Sequence, residues 1–174
     1  KANRVGKENN GWSVAKYLLE FERFSMASVE LRRLLNRAKN LAKATQWEGK
    51  KLTEDPAFRS KIDSLEIKAL AIEMSENRAL ASIESGGSPG AISSVLSAIG
   101  AETLQMADEL GVELAAYYGL PKQPRALEVG HDNFVGPEGY LPLTPSFLNN
   151  RMRTIAGGSS EIQRNIIAKT ILGL

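Results

Sequence analysis

Residues 12–44 read WSVAKYLLEFERFSMASVELRRLLNRAKNLAKA, and this stretch decides the fold class. Val14, Tyr17, Phe21, Phe24, Ser28, Leu31, Leu35, Ala38 and Ala42 recur in alternating steps of three and four. That spacing stacks side chains along one face of an α-helix. Leu18, Leu34 and Leu41 widen the stripe. Ile62, Leu65, Ala69, Ile72 and Leu80 repeat the pattern in a second region. Asp55-Pro56 and Ser88-Pro89 each set a capping residue before a proline, which a helix tolerates at its first position because no N–H is needed there. The spacing therefore predicts helices over 12–44, 56–84 and 89–118, each roughly 45 Å long. A shorter pair is predicted over 145–153 and 160–172. Five of the seven prolines fall between Pro121 and Pro145, so that stretch is a loop or a series of turns. No segment alternates polar and apolar residues as a half-buried strand would. The expected fold is all-α: an antiparallel up-down four-helix bundle of long helices, with a proline-rich loop before the last helical segments.

Composition narrows the function. The chain has 174 residues, 43% of them apolar and only 6% aromatic, enough for one domain burying about 68–70% of the surface its unfolded chain exposes. Twenty-two Lys and Arg against 20 Asp and Glu leave a net charge of +2 with the signs interspersed, which gives no electrostatic support to nucleic-acid or membrane binding. No apolar run is long enough to span a bilayer. The absence of Cys excludes a disulfide framework and a cysteine nucleophile, and the single His131 excludes multi-histidine metal sites. His131 itself is expected to be an exposed loop residue, and Arg32, Arg33, Arg37, Lys39 and Lys43 a solvated basic flank. Lys1 to Gly11 is polar and aperiodic, so residues 1–11 are expected to be a connector from an upstream domain and 12–174 the helical domain. No signal peptide follows Lys1, and a cytoplasmic location is expected.

Two places could carry chemistry. Thr154 to Ala168 contains Gly157-Gly158-Ser159-Ser160 followed by Glu161-Ile162-Gln163. The glycines permit close backbone approach, and Ser160 with Gln163 has the spacing of a capping box. A helix start of this kind offers N–H groups and a positive dipole end to an anionic or hydroxylated ligand, although such a turn by itself commonly just joins two helices. The other place is Glu20-Phe21-Glu22-Arg23. Both carboxylates flank the apolar stripe, where partial desolvation suits a general base; on most helices such a glutamate is simply solvated.

These segments together resemble the C-terminal domain of the acyl-CoA dehydrogenase family. Val5-Gly6-Lys7-Glu8-Asn9-Asn10-Gly11-Trp12 is similar to the family's exit from its β-domain, and Gly157 to Ala168 to the signature before its last helix. The nearer likeness is to large subunits of pimeloyl-CoA dehydrogenase. The resemblance implies a flavoenzyme in which FAD oxidises an acyl-CoA thioester to the 2-enoyl-CoA, a carboxylate taking the α-proton while the β-hydride passes to the flavin. It also implies a homo-oligomer (dimer or tetramer) or a related subunit, and electron-transfer flavoprotein or a similar acceptor. One branch of the family places its catalytic glutamate where this chain has Gly157. Another places it on the first long helix in a Glu-Arg pair, which Glu22-Arg23 matches. The resemblance thus makes Glu22 the catalytic base, Arg23 and Gly158 substrate-binding, and Ser159, Ser160 and Glu161 FAD-contacting, with no metal.

The chain departs from the family in two stretches. Thr45-Gln46-Trp47-Glu48-Gly49 replaces an R-x-x-F-G whose arginine reaches a neighbouring subunit's FAD, and Ala115-Ala116-Tyr117-Tyr118-Gly119-Leu120 replaces a glutamine-plus-diglycine motif. A second reading therefore stands beside the first: a non-catalytic helical assembly subunit that supports a partner's flavin site.

Overall fold

A computed structural model describes residues 3–24, 26–128, 130 and 133–174. His131 lies outside the described residues. The fold is all-α, with helices α1 (Gly11–Glu22), α2 (Ala27–Ala44), α3 (Pro56–Glu84), α4 (Ile92–Ala115), α5 (Leu143–Asn149) and α6 (Ser160–Ile167). The core lies where α2, α3 and α4 meet. Leu31, Leu35, Ala38 and Ala42 pack against Phe58, Ile62, Leu65, Ala69 and Ile72 of α3 and against Leu96, Leu104, Ala107, Leu110 and Leu114 of α4. All of the α2 and α3 residues in that set except Phe58 belong to the stripes that predict the helices. Helix α4 is the centre of the bundle, touching α2, α3, α5 and α6. Short side chains allow this. At Gly100 an added Cβ would lie 2.9 Å from the Ala27 Cβ, so α4 has no room for a side chain against the start of α2.

Four predicted features need correction. The helix expected over 12–44 is broken: α1 stops at Glu22, and Met26 takes a non-helical conformation (φ −77°, ψ 67°) before α2 begins. The stripe continues in phase across the break, so periodicity does not register it. Asp55 does cap α3, its Oδ1 accepting from Phe58 N at 2.7 Å. Pro89, by contrast, does not open α4. Gly90 takes a positive φ of 57°, which delays the helix to Ile92. The third departure is a small antiparallel ribbon, β1 (Gln46–Trp47) and β2 (Lys50–Lys51), in a region predicted to lack strands. Glu48 and Gly49 join its strands at φ of 50° and 78°, the two positive values that a tight hairpin turn requires. A two-residue strand is too short to alternate visibly. The C-terminal segments also differ: α5 passes into a 3₁₀ turn over Asn150–Thr154, and α6 into a π-helical turn over Ala168–Leu172.

The proline-rich loop is tied down. The Tyr118 and Tyr140 rings stack with centroids 5.9 Å apart, and Arg37 Nη2 donates to Gly139 O at 2.8 Å. Gln123 and Val135 exchange two hydrogen bonds across it. The basic flank of α2 is likewise used: Arg32 pairs with Glu73 and Lys39 with Glu66 on α3. Such surface pairs contribute about 0–1 kcal/mol each. Among the described residues no helix is long and apolar enough to cross a membrane.

Candidate functional site

The end of α1 and the glycine turn before α6 meet although 134 residues separate them in sequence. Arg23 Nε donates to the Gly157 carbonyl at 3.3 Å. A cleft of about 340 Å³ opens there, bounded by Glu22 and Arg23, by Ser97, Ala101 and Leu104 of α4, and by Asn150, Arg153 and Gly157. Glu22 is exposed and Arg23 half-buried. Glu20, the neighbouring carboxylate, is directed elsewhere: its Oε1 accepts from Gly90 N at 3.0 Å and ties α1 to the turn before α4. The two glutamates that the sequence leaves equivalent are thus separated by their surroundings.

The glycine turn needs glycine at both positions, with φ of 68° at Gly157 and 104° at Gly158. At Gly157 an added Cβ would meet nothing within 4 Å, so the cleft is open above it; at Gly158 it would lie 2.7 Å from Gln163 Nε2 and 3.4 Å from Arg23 Nη2. Gln163 is 1% exposed and donates to the Gly157 and Gly158 carbonyls at 3.3 and 3.1 Å. This corrects the expected capping box. The cap is Ser159, whose Oγ accepts from Ile162 N at 3.4 Å, and Gln163 turns back onto the glycine carbonyls. Glu161 is exposed at the first turn of α6, where its hydrogen bond with Ser159 holds its carboxyl below the usual range. Ser160 is buried.

Among the described residues, Ser160 Oγ and Gln163 Oε1 are buried without a hydrogen-bond partner. Buried polar atoms are ordinarily paired, so the start of α6 retains capacity for a ligand or for further chain.

Behind the cleft lies a polar network that periodicity alone does not reveal. Asn150 Nδ2 donates to the buried Asp108 at 2.7 Å, Arg153 Nε donates to Asn150 Oδ1 at 3.1 Å, and Arg153 Nη2 pairs with Glu30 at 2.7 Å. Burial pushes the Asp108 carboxyl above its ordinary value, while the Asn150 amide opposes the rise. Gln105 Nε2 adds bonds to the Asn150 and Arg151 carbonyls. The network joins α2, α4 and the 3₁₀ turn, fixing the floor of the cleft. Its one legible signal is Asp108 itself, an acid beside Leu104, Ala107 and Gly111 on the buried face of α4.

The family model described as acyl-CoA dehydrogenase, C-terminal domain, matches residues 9–172. The acyl-CoA dehydrogenase FadE34 of Mycobacterium tuberculosis is 29% identical over 170 residues, a match covering 98% of this chain and 20% of that protein. Butyryl-CoA dehydrogenase from Megasphaera elsdenii superposes with a TM-score of 0.79 at 16% identity, over 98% of this chain and 41% of that one. The prolyl acyl carrier protein oxidase AnaB superposes with a TM-score of 0.80 at 20% identity, over 99% of this chain and 42% of that one. These structural likenesses show the fold, and the chain spans only a minor part of each relative's length. With a family match across nearly its whole length, this chain belongs to the acyl-CoA dehydrogenase C-terminal domain family.

Proposed function

We propose that this chain is the C-terminal helical domain of a FAD-dependent acyl-CoA dehydrogenase and supplies its catalytic base, Glu22. The observation that carries the reading is the convergence of the Glu22-Arg23 end of α1 on the Gly157-Gly158 turn, around one open cleft. Residues 1–11 would link the domain to an upstream β-domain. Bound FAD would accept the β-hydride of the acyl-CoA. Glu22 takes the α-proton, and its exposed position leaves room for a thioester to desolvate it. Arg23 fixes the turn through the Gly157 carbonyl. Gly158 offers its backbone to the thioester, its missing Cβ leaving room for Gln163 Nε2 and the Arg23 guanidinium behind the turn. Ser159, Ser160 and Glu161 lie at the start of α6, where first-turn N–H groups and the unpaired Ser160 hydroxyl suit the polar arm of a flavin cofactor. Electron-transfer flavoprotein or a similar acceptor would reoxidise the flavin in the cytoplasm. The pimeloyl-CoA likeness makes that thioester the first substrate to assay beside butyryl-CoA.

The test is flavin reduction in full-length protein mixed anaerobically with acyl-CoA. Glu22→Gln should bind FAD and acyl-CoA normally and reduce flavin about 10²–10⁴-fold more slowly, while Glu20→Gln retains most activity. Near-normal reduction by Glu22→Gln would overturn the assignment. One observation favours the second reading, an assembly subunit supporting a partner's flavin site: the β1–β2 ribbon occupies the stretch where the family carries its FAD-reaching arginine, and Gln46 to Lys51 contains none. In that case the wild-type full-length protein would show no flavin reduction until mixed with the partner subunit.

A further inference from the structure

Glu76 is fully buried in the middle of α3, at 0% exposure. Its Oε1 accepts from Ser28 N at 3.2 Å, and its Oε2 is hydrogen-bonded by the Ser28 hydroxyl. Ser28 is the second residue of α2, so its N–H is one of the first-turn donors that a helix cannot satisfy from within. Met26, at the capping position, provides no side-chain cap. A carboxylate from another helix therefore does the capping, in the place where the α2 dipole favours negative charge.

The same contact opposes a continuous helix. Were residues 11–44 one helix, as their stripe suggests, Ser28 N–H would bond the Phe24 carbonyl and Glu76 would lose that donor in a dry core. A buried carboxylate short of partners is strongly unfavourable. The break also decides where α1 goes. Arg23 N–H closes on the Leu19 carbonyl and Phe24 N–H on the Phe21 carbonyl, after which the chain leaves helical geometry, with Arg23 reaching Gly157. We propose that Glu76 is a positioning residue: by capping α2 it maintains the break that presents Glu22 and Arg23 to the Gly157-Gly158 turn. This rests on the reading of Glu22 as the base, and the experiment separates the two.

In full-length protein, Glu76→Leu, Glu76→Gln and wild type are compared by hydrogen exchange at Met26 and Ala27 and by flavin reduction at saturating acyl-CoA. In Glu76→Leu the segment should become helical, with Met26 and Ala27 N–H bonding the Glu22 and Arg23 carbonyls and exchanging about tenfold more slowly or less. Flavin reduction at saturating acyl-CoA should fall roughly 10²-fold, the scale of a misplaced catalytic group, with FAD content unchanged. Glu76→Gln keeps an acceptor for Ser28 N–H and should resemble wild type in both readouts. Wild-type exchange in Glu76→Leu overturns the proposal, as does a continuous helix with an undiminished rate. If Glu76→Leu does not fold, Ser28→Ala serves: it should move exchange and rate the same way by a smaller step, and no movement overturns the proposal. Should Glu22→Gln prove active, the base assignment fails while the exchange comparison still decides the role of Glu76.

Discussion

Gly157 and Gly158 both sit at positive φ, but a methyl group added at each meets different surroundings. At Gly157 it meets open space, so Gly157→Ala should cost only the left-handed backbone penalty of about 1–2 kcal/mol. At Gly158 it would displace Gln163 Nε2 from two carbonyls in a buried setting, adding about 1–3 kcal/mol for the bonds lost. Urea unfolding of the two variants measures the difference, and equal losses would contradict this account of the turn. Asp108 makes a second prediction at this scale. Burial raises its carboxyl above its ordinary value, so between the unfolded and the folded values the folded state binds more protons than the unfolded chain. Stability due to this group is full at lower pH and falls as pH rises through the raised folded value. Asp108→Asn, which keeps an acceptor for Asn150, should therefore gain on wild type as pH rises from 4 toward 7. A gap that stays constant with pH would show that Asp108 does not carry the slope.

The elements are held at a few tight contacts. Gly100 on α4 faces Ala27 at the first position of α2, and an added methyl there would press on a side chain with no rotamer to yield. Gly100→Ala should destabilise the bundle by about 1–3 kcal/mol and displace the start of α2. Thermal unfolding reads the first effect and hydrogen exchange at Ala27 and Ser28 the second; a neutral substitution would mean that the two helices slide apart at no cost. The cap of α6 is less demanding. Ser159→Ala removes the acceptor for Ile162 N and should cost about 1 kcal/mol.

At the scale of the whole molecule, large apolar side chains are left bare. On α3, Ile67, Leu70 and Met74 are 71%, 56% and 57% exposed, at spacings that place them on one helix face opposite the core. A patch of this kind marks a protein interface. Residues 1–174 purified alone should therefore self-associate at micromolar concentration by light scattering, and a clean monomer would count against a homo-oligomer built on this face. The same preparation should bind no stoichiometric FAD and turn over no acyl-CoA, because the proposed flavin site needs the upstream β-domain. A yellow, active chain would refute that division of the site.

The two long apolar stripes, the Asp55-Pro56 cap and the glycine turn before α6 were determined by residue order alone, because each depends on neighbours within about four positions. Glu22-Arg23 and Gly157-Gly158 were legible as separate motifs on the same ground. That they share a cleft was decided only by the tertiary structure, since nothing local links α1 to a turn 134 residues later. The break between α1 and α2 is the sharpest case. Its stripe stays in helical phase, and the group that caps α2 is Glu76 on another helix, whose only trace in the sequence is an acid four residues after Ile72 on the buried face of α3. A side chain that satisfies a distant backbone group leaves no period behind it, so the sequence determined which segments are helical and the packed fold determined where they stop.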